Sequence, residues 1–196
     1  MTSKIDPSAL DTLFLKARSH NGWTDQPVSE EEVRELYRLM VHAPTSANTQ
    51  PARFVFLRSE EAKQRLAPAL SPGNLKALAA PVIVLIGYDL EFHEKIPKVF
   101  PHNPGFKDMF VNQPGMIEPH AFRNSSLQGA YLILAARAIG LDVGPMSGFD
   151  ANKVNQEFFP DGKVKVNFIA ALGHGDMSKV MERLPRLPFD EVAQIL

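Results

Sequence analysis

The sequence predicts an α+β fold, helices and strands mixed in one chain without regular βα alternation. Three observations carry this. Two apolar stripes at helical spacing fall within the first 40 residues, and a nine-residue apolar run spans Leu78 to Ile86. A long periodic segment then runs from about His120 to Ile139.

Asp6-Pro7 reads as an N-cap and a first-turn proline. Leu10, Leu13, Phe14 and Ala17 follow at i, i+3, i+4 and i+7 and predict one buried stripe. Ser29 with Glu32 forms a capping box, and Val33, Leu36, Tyr37 and Met40 repeat the spacing. Residues 43–51 are a polar loop holding Pro44 and Pro51. Arg53–Leu57 predicts a strand, and Pro81–Tyr88 a second, fully buried one. The long helix is expected to turn Leu127, Ala130, Tyr131, Leu134 and Ala138 inward and to stop at Gly140. Strands at Leu141–Pro145 and Lys163–Gly173 follow, with a short helix after Asp150.

Residues 1–196 read as one domain with an insertion at about 91–119. Between Glu91 and Pro119 lie five of the 16 prolines, with Phe92, Phe100, Phe106 and Phe110. Such a stretch is a lid or binding loop, or a surface excursion with its own small apolar cluster; both readings stand at this point.

Composition narrows the partners. With 21 basic and 22 acidic side chains, the formal charge of −1 argues against a nucleic-acid surface. The absence of cysteine excludes disulfides, thiol chemistry and thiolate metal sites. The longest apolar run is too short to span a bilayer, and the start, Met1 to Pro7, lacks a leader's apolar core. A cytoplasmic protein is expected.

Several motifs fail. His93-Glu94 has Pro97 where a zinc-protease helix needs histidine, and Gly173-His-Gly175 lacks the third glycine of a dinucleotide fingerprint. No phosphate loop or nucleophile elbow is present, and the six histidines show no ligand spacing, so no metal site is expected. Such a chain can still be an enzyme if a bound cofactor carries the chemistry.

Four separated segments are hard to explain as packing: Arg18–Trp23, Pro44–Pro51, Gly140–Asp150, and Gly173–Asp176 with Arg183–Pro188. In this order and spacing they resemble the FMN-dependent nitroreductase family. The resemblance runs from Leu10 to Leu187, with Asn-x-Gln-Pro at 48–51 and Gly-Leu-x-x-Gly-Pro-x-x-Gly-Phe-Asp at 140–150. Ser46–Phe54, Ser71–Leu75 and Arg183–Leu187 look more narrowly like the malonic semialdehyde reductase branch, associated with pyrimidine degradation.

The resemblance implies an antiparallel-rich sheet flanked by helices and a homodimer with FMN at the subunit interface. Arg18, with Arg183 or Arg186, would hold the phosphate, and guanidinium–phosphate geometry suits that role. Ser19 and His20 would add donors, and Asn74 would meet the flavin's pyrimidine edge. Pro145, Ser147 and Gly148 would lie against the ring near N5, with Gly148 allowing close backbone approach. Pro44, Ser46 and Asn48 would reach the FMN of the other subunit.

The implied reaction is ping-pong hydride transfer from NADH or NADPH to a small acceptor, with no catalytic side chain because the flavin carries the chemistry. For malonic semialdehyde the product would be 3-hydroxypropionate, with Arg123 facing the substrate carboxylate. The rival readings are a broad nitro- or quinone reductase and a non-catalytic flavin-binding protein. Ser147 and Gly22 stand where many relatives carry an acidic and a basic residue, and Arg53 replaces a common tryptophan. Arg18 is then the candidate to stabilise reduced flavin.

Overall fold

Asp6 opens the first helix as expected, its carboxylate accepting the Ser8 N–H at 2.8 Å with Pro7 in the first turn. This is seen in a computed structural model that describes residues 3–196; Met1 and Thr2, the first residues of the start read above for a leader, lie outside them. Helix α1 (Pro7–Leu10) continues as a wide, π-type turn over Asp11–Leu15. The expected buried stripe is not formed: Leu10 is 39% and Phe14 50% exposed. The wide turn carries an extra residue, which throws a 3.6-residue stripe out of register.

Helix α2 (Glu30–Met40) has its capping box complete, with Glu32 N–H on Ser29 Oγ at 3.1 Å and Ser29 N–H on Glu32 Oε2 at 2.7 Å. Leu36 and Met40 are buried, whereas Tyr37 faces solvent. Strand β1 (Ala52–Leu57), helix α3 (Glu60–Leu66), a 3₁₀ segment at Pro72–Ala79 and strand β2 (Val82–Asp89) follow. The insertion then folds as tight proline-led turns around α4 (Ile96–Val99) and α5 (Lys107–Asn112). It has its own apolar cluster, in which Phe92, Ile96 and Phe110 pack on Tyr88 and Ala121. Helix α6 (Ile117–Ala138) begins before His120, and Gly140 lies beyond its end at φ 83°. Strand β3 (Asp142–Met146), helix α7 (Ala151–Phe158), strand β4 (Val164–Gly173) and a short α8 (Phe189–Val192) complete the order.

The four strands form one sheet in the order β1-β2-β4-β3, every neighbour antiparallel. All eight residues of β2 are buried, because side chains alternate between two covered faces. Val82, Val84 and Ile86 meet Leu36, Met40, Leu132 and Ala136 of α2 and α6. Ile83 and Leu85 meet Leu66 of α3 and Val154 of α7. Pro145 is tolerated because β3 is an edge strand.

The orientation of α6 corrects the expectation. Leu127 and Tyr131 are 45% and 38% exposed, Ala130 and Ala138 are exposed, and Leu134 is half-buried. The inward face instead carries Ala121, Asn124, Ser125, Gln128, Gly129, Leu132, Ala135 and Ala136. Small residues let the helix lie close on the sheet, and the buried amides are taken up by backbone groups of a loop described below. The apolar stripe is left without cover within one chain.

Candidate cofactor-binding site

The two ends of the chain meet. Residues 19–20 run beside β3, with Ser19 bridged to Val143 and the His20 N–H on the Val143 carbonyl at 3.1 Å. The C-terminal segment crosses back over them. Arg183 donates to the Leu15 and Ala17 carbonyls at 2.8 and 2.9 Å, and Arg18 donates to the Met181 carbonyl. Arg186 donates to the carbonyls of Leu184 and Pro185 in its own segment. All three arginines line one cleft of about 250 Å³ with Ser19, Asn21 and one carboxylate, Glu182. A cleft lined by three arginines and one carboxylate has the charge to suit a dianion.

Arg137, in the last turn of α6, is a cation that sequence reading passed over. It donates to the Leu13 carbonyl at 2.8 Å, and its buried Nε has no hydrogen-bond partner among the described residues. Burial, and then the charge of Arg183, hold its guanidinium below the usual arginine range against the pull of Asp142. A basic residue in a last helical turn looks ordinary in a sequence, because it complements the helix dipole.

Asn21 also lines a second, smaller and more enclosed cleft with His20, Trp23, Asn74, Lys76, Ala77, Pro145, Met146 and Ala171. Here the structure brings Asn74 against the end of β3. Asn74 Nδ2 donates to the Gly148 carbonyl at 2.9 Å, and that oxygen also accepts the Ser71 hydroxyl at 2.6 Å. A Cβ at Gly148 would lie 2.5 Å from Asn74 Nδ2 and 2.7 Å from Ser71 Oγ. Within the chain, then, Gly148 answers first to these two side chains rather than to a ring. Ser147 is exposed beside it.

His20 is buried, its Nε2 3.3 Å from Asp142 Oδ1. Its Nδ1 and the Trp23 Nε1 are buried without a hydrogen-bond partner among the described residues. Native structures seldom leave such atoms unpaired. The His20 ring packs on Gly175, where an added Cβ would lie 1.9 Å from Nδ1, so this nitrogen faces backbone rather than open space. Lys76, also missed in the sequence, is the cation lining this second cleft; Arg18 lines the first.

Pro44, Ser46 and Asn48 line neither cleft. They sit exposed on a loop packed against α6, in which Ala47, Asn48 and Gln50 take left-handed φ of 48°, 51° and 43°. Each such residue other than glycine costs about 1–2 kcal/mol, so the loop is held by its surroundings rather than by its own preference. The Asn48 side chain donates to the Val99 carbonyl in the insertion at 2.7 Å. Arg123 is exposed near the start of α6, close enough to His120 for its charge to disfavour the protonated ring, and it lines neither cleft.

The nitroreductase-family model matches residues 15–174, which includes the first arginine, the strained loop and all four strands. The chain belongs to the nitroreductase family. A curated relative from Polynucleobacter asymbioticus is 55% identical over 197 residues, covers 100% of both chains, and is called "Putative NADH dehydrogenase/NAD(P)H nitroreductase". Among solved structures, one from Exiguobacterium sibiricum described as a "putative nitroreductase in complex with FMN" superposes with a TM-score of 0.87. It is 20% identical and covers 100% of each chain. A "putative NAD(P)H:FMN oxidoreductase" from Staphylococcus epidermidis gives 0.80 at 21% identity, covering 100% of this chain and 98% of that one. At these identities the likeness is one of fold. No helix among the described residues is long and apolar enough to cross a membrane.

Proposed function

We propose that this nitroreductase-family chain is an FMN-dependent oxidoreductase that uses NADH or NADPH in a ping-pong hydride transfer to a small acceptor. The observation that carries the reading is a pair of clefts that share Asn21, one lined by Arg18, Arg183 and Arg186, the other by Trp23, Ala77, Pro145, Met146 and Ala171 together with His20, Asn74 and Lys76. An elongated ligand with a phosphate at one end and a ring at the other matches that layout. The printed name of the Polynucleobacter relative and the FMN complex of the Exiguobacterium structure support the same chemistry.

FMN, when bound, would supply the hydride-transfer chemistry, and the chain's own residues would hold and orient it. Arg18, Arg183 and Arg186 hold its phosphate, and Ser19 adds a donor. Trp23, Ala77 and Ala171 are apolar lining that would keep water from the inner cleft. Asn74, steered by Gly148, meets the pyrimidine edge, and Pro145, which lines the cleft, lies beside the ring with Ser147 and Gly148 following it just outside the lining. Lys76 supplies the positive charge at the ring end, the role expected of Arg18.

The reading includes a homodimer whose second protomer presents Pro44, Ser46 and Asn48 to the flavin. Uncovered apolar side chains support it: Leu127 and Tyr131 on α6, and Phe14 and Leu15 near the N-terminus. In the same reading the insertion at 91–119, tied to that loop through Val99 and Asn48, is a lid over the acceptor, and the whole chain acts as one domain. Malonic semialdehyde is the acceptor suggested by the resemblance of Ser46–Phe54, Ser71–Leu75 and Arg183–Leu187 to one branch of the family, with Arg123 for its carboxylate. A nitro compound is the acceptor suggested by the relative's name. Titration of the apoprotein with FMN, followed by flavin fluorescence, tests the core of the proposal: quenching to a 1:1 endpoint supports it, and unquenched fluorescence rejects it.

A further inference from the structure

Three polar side chains at i, i+4 and i+8 of α6 hold the strained loop. Asn124 Oδ1 accepts the Ser46 N–H at 2.8 Å, and Gln128 Oε1 accepts the Ala52 N–H at 2.8 Å. His120 Nε2 lies 3.0 Å from the hydroxyl of Thr49, itself buried. Asn124 and Gln128 are 3% and 4% exposed, so both amides sit where a helix packed on a sheet normally carries apolar residues. Buried amides are unfavourable unless bonded, and here they bond the N–H groups that a left-handed loop turns away from regular pairing.

Each partner is itself fixed. Asn124 Nδ2 donates to the His120 carbonyl at 2.9 Å, which sets the amide's orientation. The His120 ring stacks on Phe92 at 5.0 Å and meets Phe110 edge-on at 4.8 Å, so the insertion's aromatic cluster holds it. From the other side, Gln50 Nε2 donates to Asn48 Oδ1 at 2.9 Å and Thr45 Oγ1 accepts the Gln50 N–H at 3.2 Å. The left-handed residues Ala47, Asn48 and Gln50 are therefore locked from both sides without a glycine among them. Strain so firmly held is characteristic of ligand clamps.

We propose that Asn124, supported by Gln128 and His120, is a positioning residue. It holds residues 45–52 as a preformed surface so that Ser46 and Asn48, with Pro44 leading into them, meet the flavin of a second copy of this chain without first being ordered. The proposal rests on the flavin reading above. Preorganisation of this kind acts on ligand affinity, because the ordering is completed before binding.

The test is FMN titration of dialysed apoprotein, full chain, for wild type, Asn124→Leu and Thr49→Val, with the melting temperature of each apo form measured alongside. Asn124→Leu removes the acceptor at similar volume and should raise the FMN Kd tenfold or more in the folded fraction. Thr49→Val removes one hydroxyl at constant shape, is the variant to judge by if Asn124→Leu does not fold, and should raise Kd at least threefold. A purely structural role lowers the melting temperature and leaves the Kd of folded protein at the wild-type value; that result overturns the proposal while the flavin reading stands. Wild-type protein that fails to bind FMN overturns both.

Discussion

Asn74 and Gly148, 74 residues apart in sequence, share a 2.9 Å hydrogen bond that joins the 3₁₀ segment before β2 to the end of β3. Ser71 donates to the same carbonyl, so two side chains converge where a Cβ at position 148 would stand. Gly148→Ala must push Asn74 away. We expect that variant to lose about 1–3 kcal/mol of stability by overpacking, and to bind FMN at least tenfold more weakly. Urea unfolding and flavin titration check the two effects separately, and unchanged flavin affinity would remove Asn74 from the ring edge.

The arginine cleft makes a prediction that ring contacts do not. Arg18→Ala and Arg186→Ala should weaken FMN by roughly tenfold or more, from the ~1.5–3 kcal/mol of a hydrogen bond to a charged group. Riboflavin, which lacks the phosphate, should bind both variants as it binds wild type. Arg183→Ala should also loosen the chain ends, because its guanidinium bridges to the Leu15 and Ala17 carbonyls. Equal losses for FMN and riboflavin would show that these arginines act on folding rather than on phosphate.

If the outer stripe of α6 is a subunit interface, a charge there is intolerable. Leu127→Glu should convert a dimer to a monomer in analytical ultracentrifugation and lower flavin content with it. A variant that sediments like wild type would place the interface elsewhere.

His120 gives a pH signature. Burial first, and then the charge of Arg123, hold its ring below the ordinary value of 6.5. The folded chain therefore keeps the ring neutral at pH values where the unfolded chain protonates it. Its contribution to stability is complete above 6.5 and is lost as pH falls toward the folded value. NMR titration should find the His120 pKa depressed, and Arg123→Gln should move it upward. A His120 titrating at its ordinary value would contradict the burial that ties it to Thr49.

Much of this fold is legible in the sequence because caps and apolar runs act locally. Asp6 and Ser29 cap where their spacing says, and the run through Ile86 becomes the central strand. The two helices that misled share one weakness of the signal, although in the first a wide turn also shifts the register. Leu10, Phe14, Leu127 and Tyr131 form apolar stripes, but a stripe announces burial without naming what covers it. The polar inward face of α6 was hidden because Asn124 and Gln128 are buried to satisfy a loop some 78 and 76 residues away in sequence. The arginines of the chain ends were visible through their resemblance to a family pattern. Lys76 and Arg137 carry no local pattern and emerge only from what the fold sets beside them.

The central claim is hydride transfer through a bound flavin, and one measurement addresses it directly. Purified yellow protein is mixed anaerobically with NADH or NADPH, the visible absorbance of oxidised flavin is followed, and acceptors are then added. The account predicts bleaching by at least one nicotinamide and recovery of the colour on adding malonic semialdehyde, a nitroarene or a quinone. Bound flavin that neither nicotinamide reduces would contradict it.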